Sequence, residues 1–406
     1  MNLALVLHMY QPSFQDPKVF RKIADASYLP LVRFLKNNKH ASVTLSIPLS
    51  TIYQLHKHGY SEFLDSIKEL SETGSIELVS SAAYHALLPK MPDWAVEKQI
   101  LLNEYGLGFY FGNHKGFEGE DAILVKNVRG FFPPELAVSE SVVRVLNDLG
   151  YEWVLVDSVA VEKRDKAFLN LEDSQIKIAV RHTGLSNLIS FKRDTDVHDI
   201  LSEAQKIKDI AVVALDAEYF GHHYKEGIYV LEGLLSECEN FGINMTTVSQ
   251  AMGDGVNQNV NNIAESTWGA SLEDISDGNI YPFWVNSGSE VQDELWNLLN
   301  EVLENYKPET PTEVIENLGA FPIWDTEKLG SIQNEVFEKD ISKELLVLQL
   351  MNSDQFWWAS KKEIMGKNLY NPEIIREILA QYEKYARIGQ DTSGIAEKVA
   401  EIEGKL

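Results

Sequence analysis

The sequence predicts an α/β fold: a closed barrel of parallel strands followed by an α-helical region. Three observations carry that expectation. Short apolar runs alternate with amphipathic stretches of helical length through the first part of the chain. Several of those runs are apolar without alternation, as strands covered on both faces are. After about residue 255 the β-rich runs give way to helical patterns.

Strands are expected at 3–7, 43–47, 76–79, 128–132, 153–156, 176–180, 210–215 and 245–248, with helical spacing at 19–35, 61–72, 95–109, 140–149 and 197–208 between them. Strand, helix, strand in repeated order makes the sheet parallel, and seven or eight such units favour a closed barrel over an open sheet. Beyond it, helices are expected at 290–305, 312–317, 343–361, 372–385 and 393–404. The polar, Gly/Asn-rich segment 254–262 (DGVNQNVNN) reads as a linker or as a long loop beside a site, so the division is expected as a barrel over 1–255 and a helical region over 256–406. Six of the eight tryptophans fall in the helical part: Trp268, Trp284, Trp296, Trp324, Trp357 and Trp358.

A chain of 406 residues, 44% hydrophobic and 24% charged, can bury a full core. Its 61 acidic against 36 basic residues leave a formal charge of -25, a field that repels phosphate backbones and anionic lipid. Nucleic acid and membrane are therefore not expected partners, whereas a neutral ligand such as a sugar, or a cation, is open. The single cysteine, Cys238, has no partner for an internal disulfide. The opening MNLALVLHMYQP has no basic residue before its apolar stretch and meets His8 and Gln11 at once, so it reads as mature structure; no window approaches the roughly 18 apolar residues of a membrane span. A cytoplasmic location is expected.

In a parallel barrel the site forms at the carboxyl ends of the strands, so the residues just after each apolar run are the informative ones. The first run is followed by His8, Tyr10 and Gln11, and the third by SSAAYHALLP with His85. The fourth is followed by GFFPPELAVSE, with Glu135 behind two prolines that forbid helix until that point, and the seventh by LDAEYFGHHYKEG, with Asp216, Glu218, His222 and His223. Two carboxylates on different strands can face each other across a barrel mouth, which is what glycosidic bond cleavage needs: one protonates the leaving oxygen while the other attacks the anomeric carbon or activates water. Blander roles compete. Glu135 could serve only the N-terminus of the following helix, His8 could be a satisfied core histidine, and the tryptophans could be core. Asp216 is harder to dismiss, because a carboxylate closing a buried strand is costly without a partner. A zinc centre is the competing chemistry, but the chain has no H-E-x-x-H, H-x-x-x-H or C-x-x-C, and no G-x-G-x-x-G or Walker motif for a nucleotide.

Taken together, HMYQP, GSIELVSSAAYHALLP, GFFPPELAVSE, ALDAEYFGHHYKEG and LQLMNSDQFWWAS are similar to the five ordered sequence regions of glycoside hydrolase family 57, which contains α-amylases, 4-α-glucanotransferases, branching enzymes and amylopullulanases. The resemblance implies a (β/α)7 pseudo-TIM barrel with the helical region packed on its mouth. It implies cleavage of α-1,4-glucosidic bonds in an α-glucan or maltooligosaccharide with retention, by two carboxylates in a double displacement, with no cofactor. Carried over by motif, Glu135 is the nucleophile and Asp216 the general acid/base; His8, Gln11, His85 and His222 line the donor-side sugar site; and Asp354 with Trp357 and Trp358 reaches back over it. The first motif reads HMYQP where HQP is usual, and the chain is short for the family, which implies fewer insertions around the acceptor subsites. A non-catalytic glucan-binding relative and a metal-dependent carbohydrate deacetylase or mannosidase on a similar barrel are the other classes open at this point.

Overall fold

The structure is a computed structural model that describes residues 1–38, 41–112, 128–191, 196–253, 256, 258–306, 335–364, 366–388 and 393–406. The helix expected at 312–317 and Trp324 lie outside the described residues, as do 254, 255 and 257 of the expected linker.

Eight strands come first: β1 (Asn2–His8), β2 (Val43–Ser46), β3 (Ile76–Val79), β4 (Gly130–Phe131), β5 (Trp153–Asp157), β6 (Phe168–Leu171), β7 (Lys177–Arg181) and β8 (Ile210–Asp216). β1 lies parallel between β8 and β2, β2 pairs with β3, and β4, β5, β7 and β8 follow one another, all parallel. The ring closes between β3 and β4, where Ser80 N–H donates to the Gly130 carbonyl at 3.0 Å and Phe132 N–H to the Ser80 carbonyl at 2.8 Å. This is the expected (β/α)7 barrel. β6 stands outside the ring, antiparallel to β7, and carries the short β10 (Asn259–Val260). β9 (Asn244–Thr246) pairs with the start of β1 and ends where Thr247 caps the helix Val248–Met252. The interior is packed by Ala4, Val6, Val79, Trp153, Leu155 and Val212, a filled core rather than a pore. Gly130 has no substitute there, because a Cβ would fall 2.1 Å from the Trp153 ring.

Helices Ser61–Glu72, Asp93–Phe111, Glu140–Asp148 and Val197–Gln205 cover the ring where they were expected. Three more, Leu49–Lys57, Thr183–Phe191 and Gly227–Glu237, were not anticipated. The second, TGLSNLISF, is rich in residues of modest helix propensity, and the third, GIYVLEGLLSE, shows no wide polar face; packing decides both.

After the barrel come helices Glu290–Asn305, Glu335–Leu350, Asp354–Trp358, Pro372–Ile388 and Ser393–Glu403. The single helix expected at 343–361 is interrupted at 351–353, and there Asn352 pairs with Ala86 of the barrel. Buried glutamines tie this region together: Gln292 Nε2 donates to the Phe356 carbonyl at 2.8 Å, and Tyr382 OH donates to Gln355 Oε1 at 2.7 Å. It is held to the barrel's helix Asp93–Phe111 by the buried Lys98–Glu344 pair and by Gln99 Nε2, which donates to the Leu348 carbonyl at 2.7 Å. Among the described residues no helix is long and apolar enough to cross a membrane.

The stretch expected as one helix at 19–35 is helical from Pro17 to Asn37, with a π-helical turn at Ala24–Tyr28. Such turns shift side chains off the regular spacing and are common at functional sites. Here the turn aims Ser27 Oγ at the carbonyls of Ala217 (2.7 Å) and Phe220 (2.8 Å), clamping the loop after β8. Gly221 lies at φ 114°, and a Cβ there would stand 2.0 Å from the Ala26 carbonyl oxygen. Gly221→Ala meets both backbone strain and a backbone clash, so urea unfolding should show a loss of about 2–4 kcal/mol.

Candidate active site

The carboxyl ends of the strands bring polar residues to one level. In the sheet register His8 stands beside Ser46 on one side and Asp216 on the other, and Asp157 stands beside Arg181. The loops beyond add Glu135 after β4 and His85 after β3.

Glu135 is the last residue of FPPE, where the prolines stop any helix from starting early. Its backbone is left-handed, at φ 58° and ψ 16°, a conformation that costs a non-glycine residue on the order of 1–3 kcal/mol and persists only where surroundings enforce it. They do so here. The Glu135 carbonyl accepts from Thr267 Oγ1 at 2.9 Å and from Trp268 N–H at 3.1 Å, and Val138 pairs with Ser266 through both backbone hydrogen bonds. The residue is 9% exposed, and each carboxylate oxygen takes one donor: Ser353 Oγ lies 3.1 Å from Oε1 and Trp268 Nε1 2.9 Å from Oε2. Burial first, then the charges of Asp354 and Asp216, push the Glu135 carboxyl up to about 8, against the pull of those two donors.

Asp216 closes β8 and is half-buried. Burial raises its pKa; the Arg181 guanidinium opposes the rise and the Asp354 charge adds to it. Arg181 is itself fixed by Asp157 (2.7 Å), by Asn187 Oδ1 (2.9 Å) and by the Ala214 carbonyl (2.8 Å), with its guanidinium 5.8 Å from the Trp268 ring centroid. Two residues on, Glu218 is 4% exposed, and its Oε1 accepts from Tyr10 N–H at 3.2 Å, Gln11 Nε2 at 3.1 Å and Tyr28 OH. Burial and then the Asp216 charge raise Glu218. Asp354 is pushed up to about 6 by burial. Tyr10 turns its buried hydroxyl toward Asp354, beyond the range of a well-formed hydrogen bond.

His8 and His85 meet Nε2 to Nε2 at 3.0 Å, 1% and 3% exposed. Burial lowers His8 to about 3, and burial followed by His8 lowers His85 well below its ordinary range, so both rings are neutral. His85 sits at φ 57°, held by Ser353 N–H, which donates to its carbonyl at 2.9 Å.

Of the residues expected at the site, the structure brings together Glu135, Asp216, His8, His85 and Asp354, with Gln11 behind them against Glu218. Trp357 packs its ring 5.3 Å from both Phe283 and Trp284, and Trp358 is half-buried next to it. His222 is half-buried after the turn at Gly221, and its backbone N–H donates to the Glu218 carbonyl at 3.1 Å; its ring touches His223, burial and then the Lys22 charge lower its pKa, and no hydrogen bond among the described residues links the ring to a carboxylate. Sequence reading missed Ser353, the Glu135-binding role of Trp268, Arg181 and the holding of Glu218. Ser353 lies inside the fifth motif beside Asp354, so adjacency was its signal; Trp268 and Arg181 carried none. Among the described residues no group of three or more His, Cys, Asp or Glu side chains is arranged to hold a metal ion.

A parallel seven-stranded barrel with coupled carboxylates at its mouth and a helical region packed on it is the architecture of a known group of carbohydrate-active barrels. The chain belongs to glycosyl hydrolase family 57, which matches it over residues 4–264. It is 26% identical over 230 residues to Alpha-amylase 1 of Dictyoglomus thermophilum, covering 54% of this chain and 31% of that protein. It spans less than half the length of the curated relatives it matches. In fold it is similar to a GH57-type branching enzyme from Pyrococcus horikoshii, with TM-score 0.67 and 16% identity over 99% of this chain and 94% of that one. It is also similar to the 4-alpha-glucanotransferase of Thermococcus litoralis, with TM-score 0.63 and 16% identity over 96% of this chain and 58% of that one.

The raised carboxyls have a stability consequence. A carboxyl whose pKa is higher in the fold than in the unfolded chain contributes stability that is complete below the unfolded value and is lost as pH rises through the folded one. Glu218→Gln keeps the Oε1 acceptor and removes the charge. It should melt with the parent protein near pH 4 and about a few degrees above it near pH 9, by calorimetry.

Proposed function

We propose that this protein is a retaining α-glucan-active glycoside hydrolase or transglycosylase that cleaves α-1,4-glucosidic bonds, with Glu135 as nucleophile and Asp216 as general acid/base. The observation that carries the reading is the placement of these two carboxylates at the carboxyl ends of strands on opposite sides of one barrel mouth, with the Asp216 charge among those that raise Glu135. Relatives named alpha-amylase, branching enzyme and 4-alpha-glucanotransferase support the α-glucan as substrate.

In the first step Glu135 attacks the anomeric carbon while protonated Asp216 gives its proton to the departing glycosidic oxygen. In the second, Asp216 takes a proton from water or from a sugar hydroxyl, whose oxygen attacks the same carbon and releases Glu135. Water completes hydrolysis; a sugar completes transfer. The half-buried Asp354 offers a polar contact for the donor sugar, and the half-buried indoles of Trp357 and Trp358 offer apolar faces.

One observation favours the reverse assignment. Burial first, then the charges of Asp354 and Asp216, raise Glu135, whereas Arg181 opposes the rise at Asp216. Geometry favours the assignment proposed: both Glu135 oxygens already accept hydrogen bonds, from Ser353 and Trp268, as an ionised nucleophile requires and a proton donor does not.

A fluorinated glucosyl fluoride that forms the covalent intermediate and releases it slowly separates the two. Peptide mass spectrometry should find the sugar on Glu135; an adduct on Asp216 reverses the roles. Glu135→Gln should abolish turnover of maltooligosaccharides while binding and melting temperature persist, and undiminished activity would refute the reading. Products from maltoheptaose that are only shorter mark a hydrolase, and a ladder both shorter and longer marks a transferase.

A further inference from the structure

Five polar side chains run in single file across the mouth. Ser46 Oγ lies 3.1 Å from His8 Nδ1, His8 Nε2 3.0 Å from His85 Nε2, His85 Nδ1 2.9 Å from Ser353 Oγ, and Ser353 Oγ 3.1 Å from Glu135 Oε1. All five are buried. We propose that this file is one directional hydrogen-bond relay in which Ser353 is a positioning residue for Glu135, and that the two histidine tautomers invert together when Glu135 takes up a proton.

The constraint comes from the histidine contact. A neutral imidazole has one N–H and one acceptor nitrogen, so an Nε2-to-Nε2 contact admits a single hydrogen and the two rings must hold complementary tautomers. The file then has two settings. With Glu135 ionised, Ser46 donates to His8 Nδ1, His8 Nε2–H to His85 Nε2, His85 Nδ1–H to Ser353 Oγ, and Ser353 O–H to Glu135 Oε1. An added proton lands on Oε1, because Oε2 already accepts the Trp268 N–H. Every hydrogen then reverses: Glu135 donates to Ser353, Ser353 to His85 Nδ1, His85 Nε2–H to His8 Nε2, and His8 Nδ1–H to Ser46, whose own hydroxyl hydrogen turns away. The second setting holds one more proton than the first, so the count balances.

The rings cannot answer by rotating. His8 lies flat on Phe132, at 4.4 Å and 6°, and His85 flat on Tyr10, at 3.7 Å and 9°. Ser353 is held by its own N–H on the His85 carbonyl. The charged and titratable groups facing Glu135 from neighbouring elements are Asp216 at the end of β8, Asp354 of the helical region, Tyr10 after β1 and His85 after β3, with Arg181 of β7 facing Asp216. Of these only His85 belongs to the file.

The inference deepens the nucleophile reading of Glu135, and its test has an arm independent of that reading. In protein labelled with ¹⁵N-histidine, ten imidazoles are to be assigned. His8 and His85 should stay neutral and switch protonated nitrogens together, with one midpoint shared with the Glu135 carboxyl signal. Fixed tautomers across that titration, or separate midpoints, overturn the relay. In the kinetic arm, loss of the Ser353 donor removes a hydrogen bond that favours ionised Glu135. The acid limb of kcat/KM should therefore move up in Ser353→Ala by about one pH unit, return in Ser353→Thr, and move up by less in Ser46→Ala, which touches Glu135 nowhere. A structural role alone would lower kcat or stability and leave the limb in place, and that result also overturns the relay. If Glu135→Gln is inactive while the tautomers titrate separately, the relay fails and the nucleophile reading stands. If the tautomers switch in concert while Glu135→Gln turns over fully, the relay stands and the nucleophile reading fails.

Discussion

Four carboxylates, Glu135, Asp216, Glu218 and Asp354, share one buried mouth, and the cost of holding that much negative charge away from water shapes everything around it. Three of them are met by groups brought from a distance. Glu218 takes Tyr10 N–H, Gln11 and Tyr28; Asp216 faces Arg181; Glu135 takes Ser353 and Trp268. No continuous stretch of chain could present these groups together. The barrel is the device that does, since parallel strands deliver their carboxyl ends to one level whatever their separation in sequence.

That constraint also explains why the helical region is not an accessory. Both donors to the Glu135 side chain lie beyond residue 255, as do the hydroxyl and N–H of Thr267 and Trp268 that pin its carbonyl. Without them a carboxylate would sit buried with no partner on either oxygen, in a backbone conformation with nothing to enforce it. The break at 351–353 is where the two parts meet, and a helix continued through it would carry Ser353 and Asn352 past the His85 loop they join.

Much of this was legible in the sequence. Strands buried on both faces announce themselves by apolar runs, and the seven ring strands were found for that reason. β6 escaped because FLNL is short and mostly half-buried, and helices 183–191 and 227–237 escaped because their local composition argues weakly for helix while their neighbours enforce it. At the site, residues at strand ends within recognisable motifs were found. Ser353, Arg181 and the role of Trp268 were not, because a donor's importance lies in which acceptor it meets, and that pairing joins residues as distant as 135 and 353. The π-turn that delivers Tyr28 to Glu218 was invisible for a related reason: one extra residue in a turn leaves the periodicity of the flanking segments intact.

In the proposed mechanism, the raised pKa of Glu135 and the ionised form that attack requires are reconciled by the order in which charge appears. Burial first, and then the charges of Asp354 and Asp216, favour the protonated form of Glu135. A donor sugar that engages Asp354 screens one of those charges, and the positive charge developing at the anomeric carbon favours the ionised form of the carboxyl nearest to it. On that reading the same two changes would leave Asp216 as the better place for the proton, beside the oxygen that must depart with it. On the proposed assignment, glucan binding would move one proton across the mouth, so that acid and nucleophile are set only once there is a bond to break.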